Sequence, residues 1–370
     1  MNQVILDRIL LYQFKNYEEL ELHFSKTMNC FIGENGSGKT NVLDAIHYLC
    51  TTRSYFQAVD SACIRFDAQQ SSITGDFLRE ESEEHIVMAL RRNQKKIVKR
   101  NFKEYERLAD HIGKFPCVMI TPYDIELIWE GSEVRRKFLD TTLSQCSSEY
   151  LTAWSGYQRA LQQRNALLKS EGGKVCTPAD AEPWDMQLVF FGEKIFRLRK
   201  EFVEAFKANL LSVYQQISGG LEQIDLEYTS DVADIDYPTL LRQNWERDLY
   251  LERTSKGIHR DELQFSIHGQ PLKRFASQGQ QKSFLIALKL TQYLYMREQL
   301  GLKPILMLDD LFEKIDEQRL GRILAWLKDE EMGQMFITDT HSDRIPALLK
   351  QQGFSPRIWK MEQGRSASIT

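Results

Sequence analysis

No apolar run in this 370-residue chain approaches the roughly 20 residues needed to cross a bilayer, so a membrane-spanning helix is not expected. Cysteine is scarce and unorganised. The six thiols, Cys30, Cys50, Cys63, Cys117, Cys146 and Cys176, form no CxxC pair and no metal-ligand spacing. Scattered thiols of this kind are usually reduced core residues, which fits a cytoplasmic protein. The first residues lack the basic flank, apolar core and small-residue cleavage site of a signal peptide and read as a strand. Bulk positive charge is missing too. A formal net charge of −4 excludes coating of nucleic acid by overall charge, though not a local basic face. No helix-turn-helix, zinc finger or basic zipper is present to read bases. Apolar heptads are not sustained, so a long coiled-coil arm is not expected.

What is present is an ordinary globular composition, 42% hydrophobic and 27% charged, on a chain long enough for two lobes with their own cores. Val4 to Leu11 and Leu20 to Phe24 read as strands, and Met28 to Ile32 as a buried strand. Val42, Leu43, Ala45, Ile46 and Leu49 then fall at helical spacing. From about Pro116 to Tyr250 the pattern reads as helical, with amphipathic stretches at Arg135 to Leu143, Glu149 to Lys169 and Pro183 to Gln216. Strand patterns return at Glu262 to Ile267, before a His268-Gly269 turn, and at Pro304 to Leu308 and Met335 to Thr338, with a helix from Gln281 to about Leu300. The expected architecture is an α/β lobe built from 1–115 plus 301–370, with a mainly helical second lobe over 116–300.

The sharpest local signal is Gly33-Glu34-Asn35-Gly36-Ser37-Gly38-Lys39-Thr40, which fills every fixed position of G-x-x-x-x-G-K-[ST] between a strand and a helix. Glycines let backbone N–H groups turn toward phosphate oxygens, and the helix aims its partly positive N-terminus at the same anion. Lys39 then reaches the β- and γ-phosphates of ATP, and the Thr40 hydroxyl ligates Mg²⁺.

Ile305-Leu306-Met307-Leu308-Asp309-Asp310 is an apolar strand ending in two carboxylates. Asp309 stands where a Walker B aspartate holds Mg²⁺. Asp310 stands where ABC-type ATPases usually carry glutamate to polarise the attacking water. It is one methylene shorter, and slow turnover is expected. Ser277-Gln278-Gly279-Gln280-Gln281 opens a long helix with a hydroxyl and free N–H groups, again suited to an anion. In ABC-type ATPases this signature reaches the γ-phosphate held by the partner copy. The plainer reading is a helix cap.

The interval from Arg91 to Lys103 carries Lys95, Lys96, Lys99 and Arg100 among seven cations and no acid. It is either an edge that contacts DNA phosphates or a solvated hairpin.

With these pieces in place, the chain closely resembles the RecF family, bacterial recombination and gap-repair ATPases related to the heads of SMC proteins. The resemblance spans essentially the whole length. It rests on Phe14-Lys15-Asn16-Tyr17-Glu18, the glycine turn, Arg53-Ser54, Thr121-Pro122-Tyr123-Asp124, Arg135-Arg136-Lys137-Phe138-Leu139-Asp140, Gln163-Arg164-Asn165-Ala166-Leu167-Leu168, His259-Arg260-Asp261 and Phe275-Ala276-Ser277-Gln278-Gly279-Gln280-Gln281. It implies an ATP-dependent homodimer that binds double-stranded DNA and single-strand/double-strand junctions and works with RecR and RecO to load RecA. Arg53 looks like the arginine near the nucleotide in SMC-like heads, or else a surface cation closing its helix. Lys15 and Asn16 resemble residues near the adenosine end. Asp316 matches the D-loop position, although Glu313-Lys314-Ile315-Asp316 departs from the usual S-E-L-D. Among Asp339, Thr340 and His341, position alone does not assign a switch residue. The His259-Arg260-Asp261 block is read as a brace between lobes.

Two other functions compete. One is an ATP-gated DNA clamp in which hydrolysis is incidental. The other is a transporter's nucleotide-binding subunit, in which the Arg135–Asp140 and Gln163–Leu168 blocks have no place.

Overall fold

Four short apolar runs, Met28–Ile32, Met335–Asp339, Ile305–Leu308 and Cys117–Ile120, are buried at every residue. In the computed structural model they form four consecutive strands of a six-stranded sheet. The model describes residues 2–80, 82–169, 176–220, 222–311, 315, 317–340, 344–362 and 365–368. The order across the sheet is Arg365–Ser368, Arg357–Glu362, Met28–Ile32, Met335–Asp339, Ile305–Leu308, Cys117–Ile120. Every neighbouring pair is parallel except the first. Parallel strands are covered on both faces, which is why they read as continuous apolar runs rather than alternating ones.

A second sheet, antiparallel except for its first pair, runs Leu302–Lys303, Asn2–Phe14, Gln70–Arg79, Ser82–Arg91, Ile97–Arg100, Lys103–Glu104, with Tyr17–His23 also paired to Asn2–Phe14. Its two long hairpin strands alternate buried and half-buried residues, as a sheet with one face on the core must. Val42, Leu43, Ala45, Ile46 and Leu49 of helix Lys39–Thr51 join its core with Ile73, Phe77, Ile86 and Met88. The buried Gln334 side chain ties the sheets. Its Oε1 accepts from Leu6 N at 2.7 Å, and its Nε2 donates to Leu6 O and Ser25 O, each at 2.8 Å.

The chain forms two compact units. One is Met1–Asp124 with Gln216–Gly220 and Ile286–Thr370, and the other is Ile125–Gln215 with Leu221–Leu285. These limits correct the division expected at 115/116 and 300/301. Cys117–Ile120, assigned to the helical part, is a strand of the parallel sheet. The later half of helix Gln278–Leu300 belongs to the first unit, where the Tyr293 hydroxyl accepts from Gly333 N at 2.8 Å.

The second unit is mainly helical, with long helices at Ser132–Cys146, Ser148–Leu168 and Pro178–Ser218. A three-stranded sheet of Ile224–Thr229, Glu262–Ile267 and Gln270–Pro271 also belongs to it. The first of these strands lies inside the stretch expected to be helical. His268 and Gly269 both have positive φ, 49° and 73°, as a two-residue hairpin turn requires.

Two arginines with no exposed surface organise this unit. Arg164 pairs with Asp185 at 2.5 Å and Asp248 at 2.7 Å. Arg199 pairs with Asp140 and Asp261, both at 2.7 Å. Asp261 also accepts from Ser230 at 2.5 Å and from Tyr228, and His259 meets the Tyr157 hydroxyl at 2.8 Å. Three family blocks of this unit, Arg135–Asp140, Gln163–Leu168 and His259–Asp261, therefore contribute to two buried ion-pair clusters. The His259-Arg260-Asp261 block braces this unit internally rather than joining two lobes. Removing one partner of such a pair costs about 3–5 kcal/mol. Among the described residues, no helix is long and apolar enough to cross a membrane.

Candidate nucleotide-binding site

The turn after Met28–Ile32 is shaped by glycines that no other residue replaces. Gly38 has φ 110°, and a Cβ there would strike the Tyr17 hydroxyl and lie 2.7 Å from Asn16 Nδ2. A Cβ at Gly33, which has φ 155°, would strike the Met361 carbonyl oxygen. Tyr17 supports the turn from inside the unit, its buried hydroxyl donating to Gly38 O at 2.9 Å. Beside it, Asn41 Nδ2 donates to Asn16 Oδ1 at 2.7 Å. Asn16 therefore sits against the start of the cradle helix through the Asn41 side chain. Its neighbour Lys15 is turned inward, its ammonium 2.6 Å from the buried Asp44 carboxylate. That salt bridge anchors helix Lys39–Thr51.

Lys39 is only 3% exposed. Its ammonium curls back onto Gly33 O at 2.7 Å and Glu34 O at 3.0 Å. The buried Ser37 hydroxyl has no hydrogen-bond partner among the described residues. A buried unpaired hydroxyl beside a lysine and a helix N-terminus is chemistry suited to an anion.

The carboxylates converge on the same turn. Strand pairing sets Leu308 beside Ile337, so the ends of the two strands lie together near Thr40. Thr40 Oγ1 donates to Asp309 Oδ1 at 2.9 Å, although 269 residues separate them in sequence. Burial pushes the Asp309 carboxyl up to about 6; the Thr338 hydroxyl opposes this, and neighbouring Asp310 adds to it. A desolvated carboxylate of this kind gains from a cation. One hydroxyl and one carboxylate are too few donors for a complete cage, and they suit Mg²⁺, which keeps waters and takes phosphate oxygens. Asp310 is half-buried and has a left-handed backbone, φ 42°, unusual for a residue with a side chain.

Ser277-Gln278-Gly279 is exposed. Ser277 and Gln280 form a reciprocal capping box. Ser277 N donates to Gln280 Oε1 at 2.7 Å, and Gln280 N donates to Ser277 Oγ at 3.3 Å. Gln280 Nε2 is also committed, to Glu222 Oε1 at 3.0 Å. The Gln280 side chain thus shapes the helix start. Gln281 does so from below, accepting from Trp129 Nε1 at 2.9 Å and donating to Ala276 O at 3.1 Å. The Ser277 hydroxyl hydrogen and the Gly279 backbone remain at the surface.

Arg53 is exposed, just past Thr52, whose own left-handed backbone and N–H to Tyr48 O close the helix. The basic hairpin divides. Lys95 and Lys99 are exposed. Lys96 instead donates to Thr52 O at 2.5 Å and pairs with Asp60 at 3.1 Å, and Arg100 pairs with Glu84. Those two cations already have carboxylate partners within the protein. Asp316 and His341 lie outside the described residues, as do Phe312, Glu313 and Lys314. Sequence reasoning assigned no part to Tyr17 or Thr338. Thr338 meets Asp310 through strand pairing and Tyr17 meets Gly38 by packing against the turn, and only the flanking motifs hinted at them.

Residues 5–352 match the family model described as the RecF/RecN/SMC N-terminal domain. The DNA replication and repair protein RecF of Flavobacterium johnsoniae is 43% identical over 357 residues, 96% of this chain and 99% of its own. The chain belongs to the RecF family. RecF of Parabacteroides distasonis is 40% identical over 364 residues, 98% of each chain. A solved structure of the recombination mediator protein RecF with ATP, in the RecFOR pathway, is 27% identical. It matches with a TM-score of 0.88 over 100% of this chain and 98% of that one. An SMC head domain from Pyrococcus furiosus, 14% identical over 99% of this chain and 96% of that one, shares the fold at a TM-score of 0.59. RecF membership and this likeness make the chain an SMC-like, P-loop ABC-type ATPase.

Proposed function

We propose that this RecF-family chain is an ATP-dependent, DNA-binding homodimer of recombinational repair, acting in the cytoplasm with RecR and RecO, whose slow hydrolysis resets the dimer. The observation that carries the dimer is the unfinished state of the second anion-receptive turn. Ser277 and Gly279 are exposed and rigidly presented, with their supporting glutamines already engaged.

Each residue then has a defined task. The glycine turn and Lys39 bind the triphosphate, with Ser37 available as an additional donor. Thr40 and Asp309 would hold Mg²⁺, which neutralises charge on the transferring phosphoryl group. Asp310 polarises the attacking water, and its short side chain on a left-handed backbone supports slow turnover. Arg53, next to the cradle helix, is free to approach nucleotide. Ser277 and Gly279 of one copy finish the site of the other, and Asp316 is assigned to the interface by position. Lys95 and Lys99 supply phosphate contacts to DNA, and stimulation of turnover by duplex would follow from closure on it.

Sizing in solution with Mg²⁺ and ATP tests the reading. The native chain is expected to double in mass. Lys39→Met is expected to remain single because nucleotide is not held, and Ser277→Arg to remain single although it still binds ATP. A Ser277→Arg variant that dimerises normally would sink the composite site.

A further inference from the structure

One hydroxyl sits between the two carboxylates of the nucleotide site. Thr338 Oγ1 accepts the Asp310 backbone N–H at 2.8 Å. It lies 2.9 Å from Asp309 Oδ1 and 3.2 Å from Asp310 Oδ1. Thr338 is 1% exposed and is placed by the parallel pairing of Met335–Asp339 with Ile305–Leu308. A hydroxyl has one hydrogen to give, so the two carboxylates share it. Asp309 Oδ1 has a second donor in Thr40, at 2.9 Å.

We propose that Thr338 is the positioning residue for the hydrolytic carboxylate: it holds Asp310 in its left-handed backbone conformation and directs its side chain with a hydrogen shared with Asp309. The inference rests on the reading of Asp310 as the group that polarises water. The physical need is clear from the backbone. A non-glycine residue at φ 42° is costly and persists only where the surroundings over-determine it. The N–H bond to Thr338 supplies that restraint. Asp310 is also short for its task, so small changes in direction move its oxygens out of reach of the water. When a cation takes up charge on Asp309, that carboxylate needs the shared hydrogen less, and the hydrogen is free for Asp310. Thr338 thereby links occupation of the metal position to the aim of the carboxylate.

The test compares Thr338→Val, Thr338→Ser and Asp310→Asn in the full-length chain. Thr338→Val removes the hydroxyl in nearly the same volume. It is expected to lower kcat about tenfold or more while leaving ATP affinity within about twofold. Thr338→Ser restores the hydroxyl and is expected to recover native turnover. Amide hydrogen exchange of the Asp310 N–H in the nucleotide-free protein gives a second readout, faster in Thr338→Val and native-like in Thr338→Ser. Adding Thr338→Val to Asp310→Asn is expected to cost nothing further. Native kcat in Thr338→Val, a loss of turnover matched by an equal loss of ATP affinity, or no rescue by serine would each overturn the inference. If Asp310→Asn turns over at the native rate, the assigned role of Asp310 fails instead. If Asp310→Asn is inactive and Thr338→Val is native, only the positioning role of Thr338 fails.

Discussion

The glycine turn at Gly33–Thr40 and the helix start at Ser277–Gln281 are both built to receive an anion, but they are finished to different degrees. In the turn, Lys39 is buried and curled onto backbone carbonyls, Tyr17 supports Gly38 from below, and Thr40 already meets Asp309. Metal, phosphate and water chemistry converge there within one unit. At the helix start the supporting side chains are satisfied, whereas Ser277 and Gly279 face outward. The carboxylate beside them, Glu222, is engaged with the Gln280 side chain. In the proposed reading, the first holds the triphosphate tail and the second closes on the phosphate held by another copy. In that reading, rigid presentation without local chemistry marks the second half of a shared site.

The largest effect that would sharpen this contrast separates the cap from the lid. Aspartate caps helices as well as serine does, but its charge repels a γ-phosphate. Ser277→Asp is therefore expected to melt within about 0.5 kcal/mol of native, to bind ATP, and to lose ATP-driven association by about 100-fold or more. Thermal unfolding and sedimentation measure the two quantities. If Ser277→Asp associates normally, the helix start is a cap alone and the contrast collapses.

A smaller effect divides the basic hairpin along the same line, outward groups against inward ones. Neutralising Lys95 and Lys99 is expected to lower the slope of log affinity against log salt for duplex DNA by up to about 2, with stability unchanged. Replacing Lys96 or Arg100 is expected to destabilise the fold by about 1–3 kcal/mol and leave the slope nearly as it was. An unchanged slope in the first pair would make this hairpin a solvated face.

Much of this was legible in sequence because the chemistry is local. The glycine turn needs its residues at fixed offsets along one stretch of backbone, and Asp309 closes a continuous apolar run. Cys117–Ile120 was lost to the helical reading because four apolar residues carry no period that distinguishes strand from helix. Ile224–Thr229 was lost because it is one strand in a helical stretch. A strand sends neighbouring side chains to opposite faces, which separates exposed Lys99 from half-buried Arg100. Lys96 and Arg100 find Asp60 and Glu84, a pairing that composition does not disclose. Thr338 and Tyr17 act through partners 28 and 21 residues away, a closeness created only by sheet pairing and packing. The lid at Ser277 was legible as a motif, but its capping geometry was not separable from its anion chemistry until the side chains were placed.

Mixing two crippled chains tests the shared site most directly. Lys39→Met keeps an intact Ser277 and Ser277→Arg keeps an intact Lys39, so only a mixed dimer contains one complete site. Each variant alone is expected to hydrolyse ATP at background. An equimolar mixture is expected to regain turnover, up to about half of native, since neither variant pairs with itself and each mixed dimer has one working site of two. A mixture no more active than its components would contradict the account.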